Sequence, residues 1–105
     1  MNPANFRKMA HGDIAGLREL AIDFFNDTRR QLSAWRELLE SEDFNLLRAN
    51  LHRCRGGASI FGLERIVALI GSLERASALE ESGFDFEHFE MELSAAEDAV
   101  LAMTD

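Results

Sequence analysis

One histidine, His52, stands among residue types able to handle a phosphoryl group. Arg48 and Ala49 lie about one helical turn before it, Arg55 and Gly56 one turn after, and Ser59 a further turn on. Spacings of three and four put these positions on one face of a helix. A neutral imidazole offers a nucleophilic nitrogen near physiological pH, and a guanidinium three residues away can pair with phosphate oxygens through two parallel hydrogen bonds. Gly56 places no side chain over the ring, so another protein's surface can close upon it. Glycine inside a helix costs roughly 1 kcal/mol relative to alanine, which makes the Gly56-Gly57 pair a mark of close approach, by a partner or by a neighbouring helix. A transient phosphohistidine needs this reactive nitrogen, fork of donors and clear access. The means to make one unaided are missing: the sequence has no phosphate-cradling glycine loop with a lysine, and no acidic cluster with magnesium spacing on this face.

The elements that must hold His52 are legible from apolar periodicity. A short helix over residues 3–10 follows Asn2-Pro3, since proline suits a first turn, and His11-Gly12 breaks it. Asp13 is the cap of a helix of some 28 residues whose stripe runs Ile14, Leu17, Ala21, Phe24, Phe25, Thr28, Leu32, Trp35, Leu38 and Leu39. Ser41-Glu42-Asp43 interrupts it, with Asp43 as the next cap. Phe44, Leu47, Leu51, Cys54, Ala58 and Phe61 then repeat at 3-4-3-4-3, and Gly62 ends the segment in a left-handed conformation. Leu63, Ile66, Val67, Ile70, Leu73 and Ala76 mark a fourth helix reaching about Glu81 before Ser82-Gly83. Asp85 caps the last, with Phe86, Phe89, Leu93, Ala96, Val100 and Met103 on its stripe. The expectation is an all-α fold: an antiparallel up-down four-helix bundle with a short extra N-terminal helix.

Composition agrees with this reading. The chain has 105 residues, 47% apolar, with eight Phe and a single Pro, enough for one domain spanning 1–105 with its own core. No apolar run approaches the eighteen residues of a membrane span and no signal peptide opens the chain, so a cytoplasmic setting is expected. A net charge of −8 argues against nucleic acid or an anionic membrane as partner. The charge is unevenly placed. Glu74 to Asp105 holds ten acidic residues against Arg75 alone, whereas Phe44 to Leu63 holds Arg48, Arg53 and Arg55 and no acid. The basic island around His52 suits an anion. Cys54, the single cysteine, reads as a small buried hydrophobe. His11 and His88 lack arginine neighbours at helical spacing and read as surface residues; His88 with Glu92 is only half a metal site.

The string His52-Arg53-Cys54-Arg55-Gly56-Gly57-Ala58-Ser59-Ile60-Phe61-Gly62-Leu63 resembles the signature of histidine-containing phosphotransfer (HPt) domains, H-x-x-K-G followed six residues later by glycine and a hydrophobic residue. His52, Gly56, Gly62 and Leu63 match, and Arg55 replaces the usual lysine. It keeps the charge and alters the shape. The run also resembles the phosphoacceptor domain of chemotaxis histidine kinases, whose further domains are absent from these 105 residues; an independent shuttle fits better.

The resemblance implies a phosphorelay intermediate. His52 would take a phosphoryl group from the aspartyl phosphate of a response-regulator receiver domain, or within a relay fed by a hybrid histidine kinase, and pass it to another receiver. The receiver supplies the magnesium and the acidic pocket, so no cofactor of its own is expected. The domain would be a phosphoryl carrier rather than a stand-alone enzyme, without autokinase activity, and a monomer able to bury its own stripes. Docking is expected at Ala49, Gly56 and Ile60, ringed by Arg48, Arg53 and Arg55; Arg55 is placed to meet phosphate oxygens, and Ser59 either donates to one or is simply solvated. The competing reading is a non-catalytic adaptor that binds a receiver or kinase without carrying phosphate; such a protein has no need of His52 or Arg55.

Overall fold

A computed structural model describes residues 1–75 and 85–104. Among these described residues five helices follow in order: α1 (Pro3–Ala10), α2 (Ile14–Glu40), α3 (Phe44–Ile60), α4 (Glu64–Arg75) and α5 (Phe86–Leu101). α2 packs on α3 and on α5, α4 packs on the same two, and α1 leans on α2. The last four helices therefore close a ring around one core, the up-down four-helix bundle expected from the stripes. α2, at 27 residues, runs about 40 Å at 1.5 Å per residue and sets the 45 Å long axis.

Local chemistry explains where each helix starts and stops. Asn2 accepts hydrogen bonds from the amides of Ala4 and Asn5 ahead of Pro3, and α1 ends on His11 in the left-handed region. Asp13 accepts from the amide of Gly16 and Asp85 from that of His88, each satisfying an otherwise orphaned donor. Asp43 is the exception. It occupies the capping position of α3, but its side chain makes no capping hydrogen bond. The turn before it is held from the other side: Asp43 N–H donates to Leu38 O and Glu42 N–H to Leu39 O, with Glu42 at φ 60°. That is the Schellman pattern with a glutamate where glycine is usual. α3 ends the same way, with Leu63 N–H to Ala58 O, Gly62 N–H to Ser59 O and Gly62 at φ 66°, as its sequence predicts.

The stripes meet inside. Phe25, Trp35, Leu51, Ile70, Phe89 and Leu93 are all buried, and Trp35 packs on Phe89 with ring centroids 5.8 Å apart. Each such side chain contributes about 1.5–3 kcal/mol of burial. Trp35 is thus a packing anchor. The acidic α5 is tied to neighbouring arginines: Arg29 of α2 grips Glu97 with two hydrogen bonds of 3.0 and 3.2 Å, and Arg65 of α4 reaches Glu92 at 3.3 Å. Arg36 meets Glu90 and lies over the ring of Phe86. Much of the charge asymmetry is therefore used in closing the bundle. The expected stretch of helix from Ala76 to Glu81 and the break at Ser82-Gly83 lie outside the described residues.

Candidate functional site

His52 follows Leu51, which is completely buried. A step of one residue turns the helix by about 100° and carries the imidazole off the core, leaving its side chain 70% exposed. Arg55, three residues on, returns to the same face. Its Nη2 lies 3.1 Å from His52 Nδ1, and the side chain is 32% exposed.

A third group joins them from α4. Glu74 follows the buried Leu73 as His52 follows Leu51, and the packing of α4 on α3 brings the two off-core positions together at the seam. Glu74 Oε2 is 3.3 Å from Arg55 Nη1 and 3.4 Å from His52 Nδ1. The carboxylate is only 14% exposed, so its pairing with Arg55 is screened by solvent less than a surface pair. Its other oxygen, Oε1, is buried without a hydrogen-bond partner among the described residues. The basic island of the sequence thus contains an acid in three dimensions. The missed signal was the shared offset, one residue past the last core leucine, on two consecutive antiparallel helices.

These contacts fall on one edge of the ring. Nδ1 faces both Arg55 and Glu74, and among the described residues Nε2 takes no hydrogen bond. When Nδ1 carries the proton it can donate to Glu74, and Nε2 then holds the lone pair. When Nδ1 is bare it accepts from Arg55, and the proton sits on Nε2. Glu74 favours the first tautomer, the one with its nucleophilic nitrogen turned away from the protein, and Arg55, the nearer group, favours the second.

The two glycines beside His52 do different things. A Cβ built on Gly56 meets nothing within 4 Å, whereas one on Gly57 would stand 2.8 Å from Cε2 of Phe24. Gly56 keeps open space ahead of the imidazole; Gly57 lets the Phe24 ring of α2 lie against α3. That ring also packs on Phe61, centroids 5.8 Å apart. Toward this end two large apolar side chains stand in solvent. Ile60 is 65% exposed, and Leu20, one helical turn before Phe24, is 60% exposed. Leu20 was not singled out from the sequence, because it lies off the α2 stripe and looks like any surface leucine.

The remaining expected positions are unequal. Ala49 and Arg53 are exposed, and Arg48 is half-buried one turn before His52. No contact between Arg53 and His52 is found among the described residues. Ser59 is exposed but seven residues beyond His52, about 10 Å along the helix; its carbonyl serves the α3 terminus. Cys54 is buried, its Sγ 3.8 Å from Thr28 Oγ1, and burial pushes the thiol up to about 11. It is a core residue. His88 approaches Glu92 at 4.0 Å, and no group of three or more His, Cys, Asp or Glu able to hold a metal occurs among the described residues. Among them, too, no helix is long and apolar enough to cross a membrane.

No curated protein and no solved structure matches the chain. A family model, described as Hpt domain, matches residues 19–99, a span that includes His52, Arg55, Gly56 and Glu74 and leaves out α1. With most of its length under that model, and with a helical bundle that presents a lone imidazole beside a guanidinium, the chain belongs to the Hpt domain family.

Proposed function

We propose that, within the phosphotransfer role in two-component signalling that membership of the family supports, His52 is the phosphoacceptor and the protein shuttles a phosphoryl group between receiver-domain aspartates in the cytoplasm. The observation that carries this reading is the orientation of the imidazole: exposed, held at Nδ1, and free of hydrogen bonds at Nε2 among the described residues.

The step is an in-line displacement. The Nε2 lone pair attacks phosphorus, the P–O bond to the aspartyl carboxylate breaks, and its electrons leave with the carboxylate. The Nδ1 proton stays beside Glu74, so the reverse step can expel a neutral imidazole, and transfer runs in both directions. Arg55 supplies positive charge to the phosphoryl oxygens. Magnesium and the acidic pocket belong to the receiver. The partner would dock over Gly56, Ala49 and Ile60, with Leu20 extending the apolar area and Arg48 and Arg53 at its margin; exposed apolar residues rimmed by charge suit a protein surface.

Incubation with a phosphorylated receiver tests the proposal. Acid-labile, alkali-stable label should appear on the wild type and be absent from His52→Gln. Equal labelling of both would end it. Receiver binding that is equally strong in wild type and His52→Ala, with no phosphate ever detected, would instead support the adaptor.

A further inference from the structure

Resting on that reading of His52, we infer that Glu74 is a positioning residue that holds the phosphohistidine at a high transfer potential by competing with the phosphoryl group for Arg55. Three observations meet here. Arg55 has one guanidinium nitrogen on Glu74 at 3.3 Å and another on His52 Nδ1 at 3.1 Å, so in this arrangement its fork is engaged on the Nδ1 side of the ring. A phosphoryl group on Nε2 sits on the opposite side. For Arg55 to grip it with both nitrogens, the guanidinium must leave Glu74. That departure strands a carboxylate which is only 14% exposed and whose Oε1 already lacks a partner among the described residues.

A stranded, largely buried charge is costly, and the cost is incurred only in the phosphorylated protein. If Arg55 stays with Glu74 instead, the phosphoryl group keeps less of its stabilisation. Either way the phosphorylated form gains less from Arg55 than an unopposed arginine would give. Glu74 also adds negative charge near a dianionic group. Both effects make the group easier to pass on.

Phosphoramidate serves as the probe, since the test then needs no partner. It transfers its phosphoryl group to imidazole with release of ammonia, and phosphorus NMR of the full chain reads the equilibrium constant from either direction. Removing the carboxylate in Glu74→Gln should shift that constant toward phosphohistidine by roughly tenfold, the order expected for one charge at this separation in a partly solvated site. Glu74→Asp, which keeps the charge but draws it back by a methylene, should fall between. In Glu74→Gln with Arg55→Ala, most of the gain should vanish, because it acts through the freed guanidinium. Nitrogen NMR of the unphosphorylated ring should show the share of Nδ1–H tautomer falling in Glu74→Gln. An unchanged equilibrium constant in a folded Glu74→Gln or Glu74→Asp protein overturns the inference and leaves His52 as phosphoacceptor untouched. Wild-type protein that takes no more phosphate than His52→Gln overturns both.

Discussion

Gly57 and Phe24 occupy each other's space: a Cβ on the glycine would stand 2.8 Å from the aromatic ring, inside any real carbon–carbon contact. One residue earlier, Gly56 faces nothing within 4 Å. Two adjacent glycines in one helix thus answer to opposite demands, α2 on one side and open solution on the other.

Alanine should separate them. Gly56→Ala removes a helix-interior glycine without a clash and should stabilise the fold by about 0.5–1 kcal/mol. Gly57→Ala gains the same propensity but must push Phe24 off Phe61, and overpacking of this kind costs typically 1–3 kcal/mol. Its net effect should be a loss of about 1 kcal/mol. Urea unfolding of the two variants, read as midpoints at constant slope, should show shifts of opposite sign.

Gly56→Leu tests access rather than stability. The leucine side chain has room on the surface, so the helical circular dichroism signal should be retained. Transfer from a phosphorylated receiver should fall at least tenfold, because the leucine stands where the partner must close. Labelling by phosphoramidate, a small donor, should persist. Wild-type transfer rates in this variant would place the docking surface elsewhere.

Glu42 sits at φ 60° where the chain turns from α2 into α3, a conformation that disfavours side chains with a Cβ by about 1–2 kcal/mol. Glycine there relieves the strain but gives more freedom to the unfolded chain. Glu42→Gly should therefore stabilise by about 0.5–1 kcal/mol, visible as a rise in melting temperature with transfer activity unchanged.

Cys54 links the core to alkaline stability. Its thiol is pushed up to about 11 by burial, against about 8.5 in an unfolded chain. The folded state thus holds the proton more tightly. Its contribution is complete below about pH 8.5 and disappears as the pH rises through about 11, where the unfolded chain has already ionised. The sequence has no tyrosine and, in Lys8, a single lysine, so few other groups titrate in this window. Denaturation midpoints should decline from pH 8.5 to 11, and Cys54→Ala should flatten that decline while lowering stability at pH 7. A thiol reagent at pH 8 should label the unfolded chain and spare the native one.

The fold was legible in the chain because every helix states its period and most state their ends. Leu47, Leu51, Cys54 and Ala58 fall on one face by spacing alone, and all are buried. Asp13, Asp85 and Gly62 mark boundaries through side-chain acceptors and a left-handed turn. Asp43 shows the limit: a residue of capping type stands in the capping place, yet the turn is closed by backbone hydrogen bonds to α2 instead. Similar energies compete there, and composition does not decide between them.

At the site, spacing along α3 was enough to put His52, Arg55 and Gly56 side by side, because residues three and four apart on one helix are neighbours whatever the rest of the molecule does. What faces them follows only from how the helices pack. Glu74 is 22 positions away from His52 and meets it only through the register of α4 on α3; Phe24 reaches Gly57 only because α2 lies alongside. Helical periodicity is a local property, fixed by the backbone of one segment. The register between two helices is set by how their side chains interlock, and no single stretch of chain contains it.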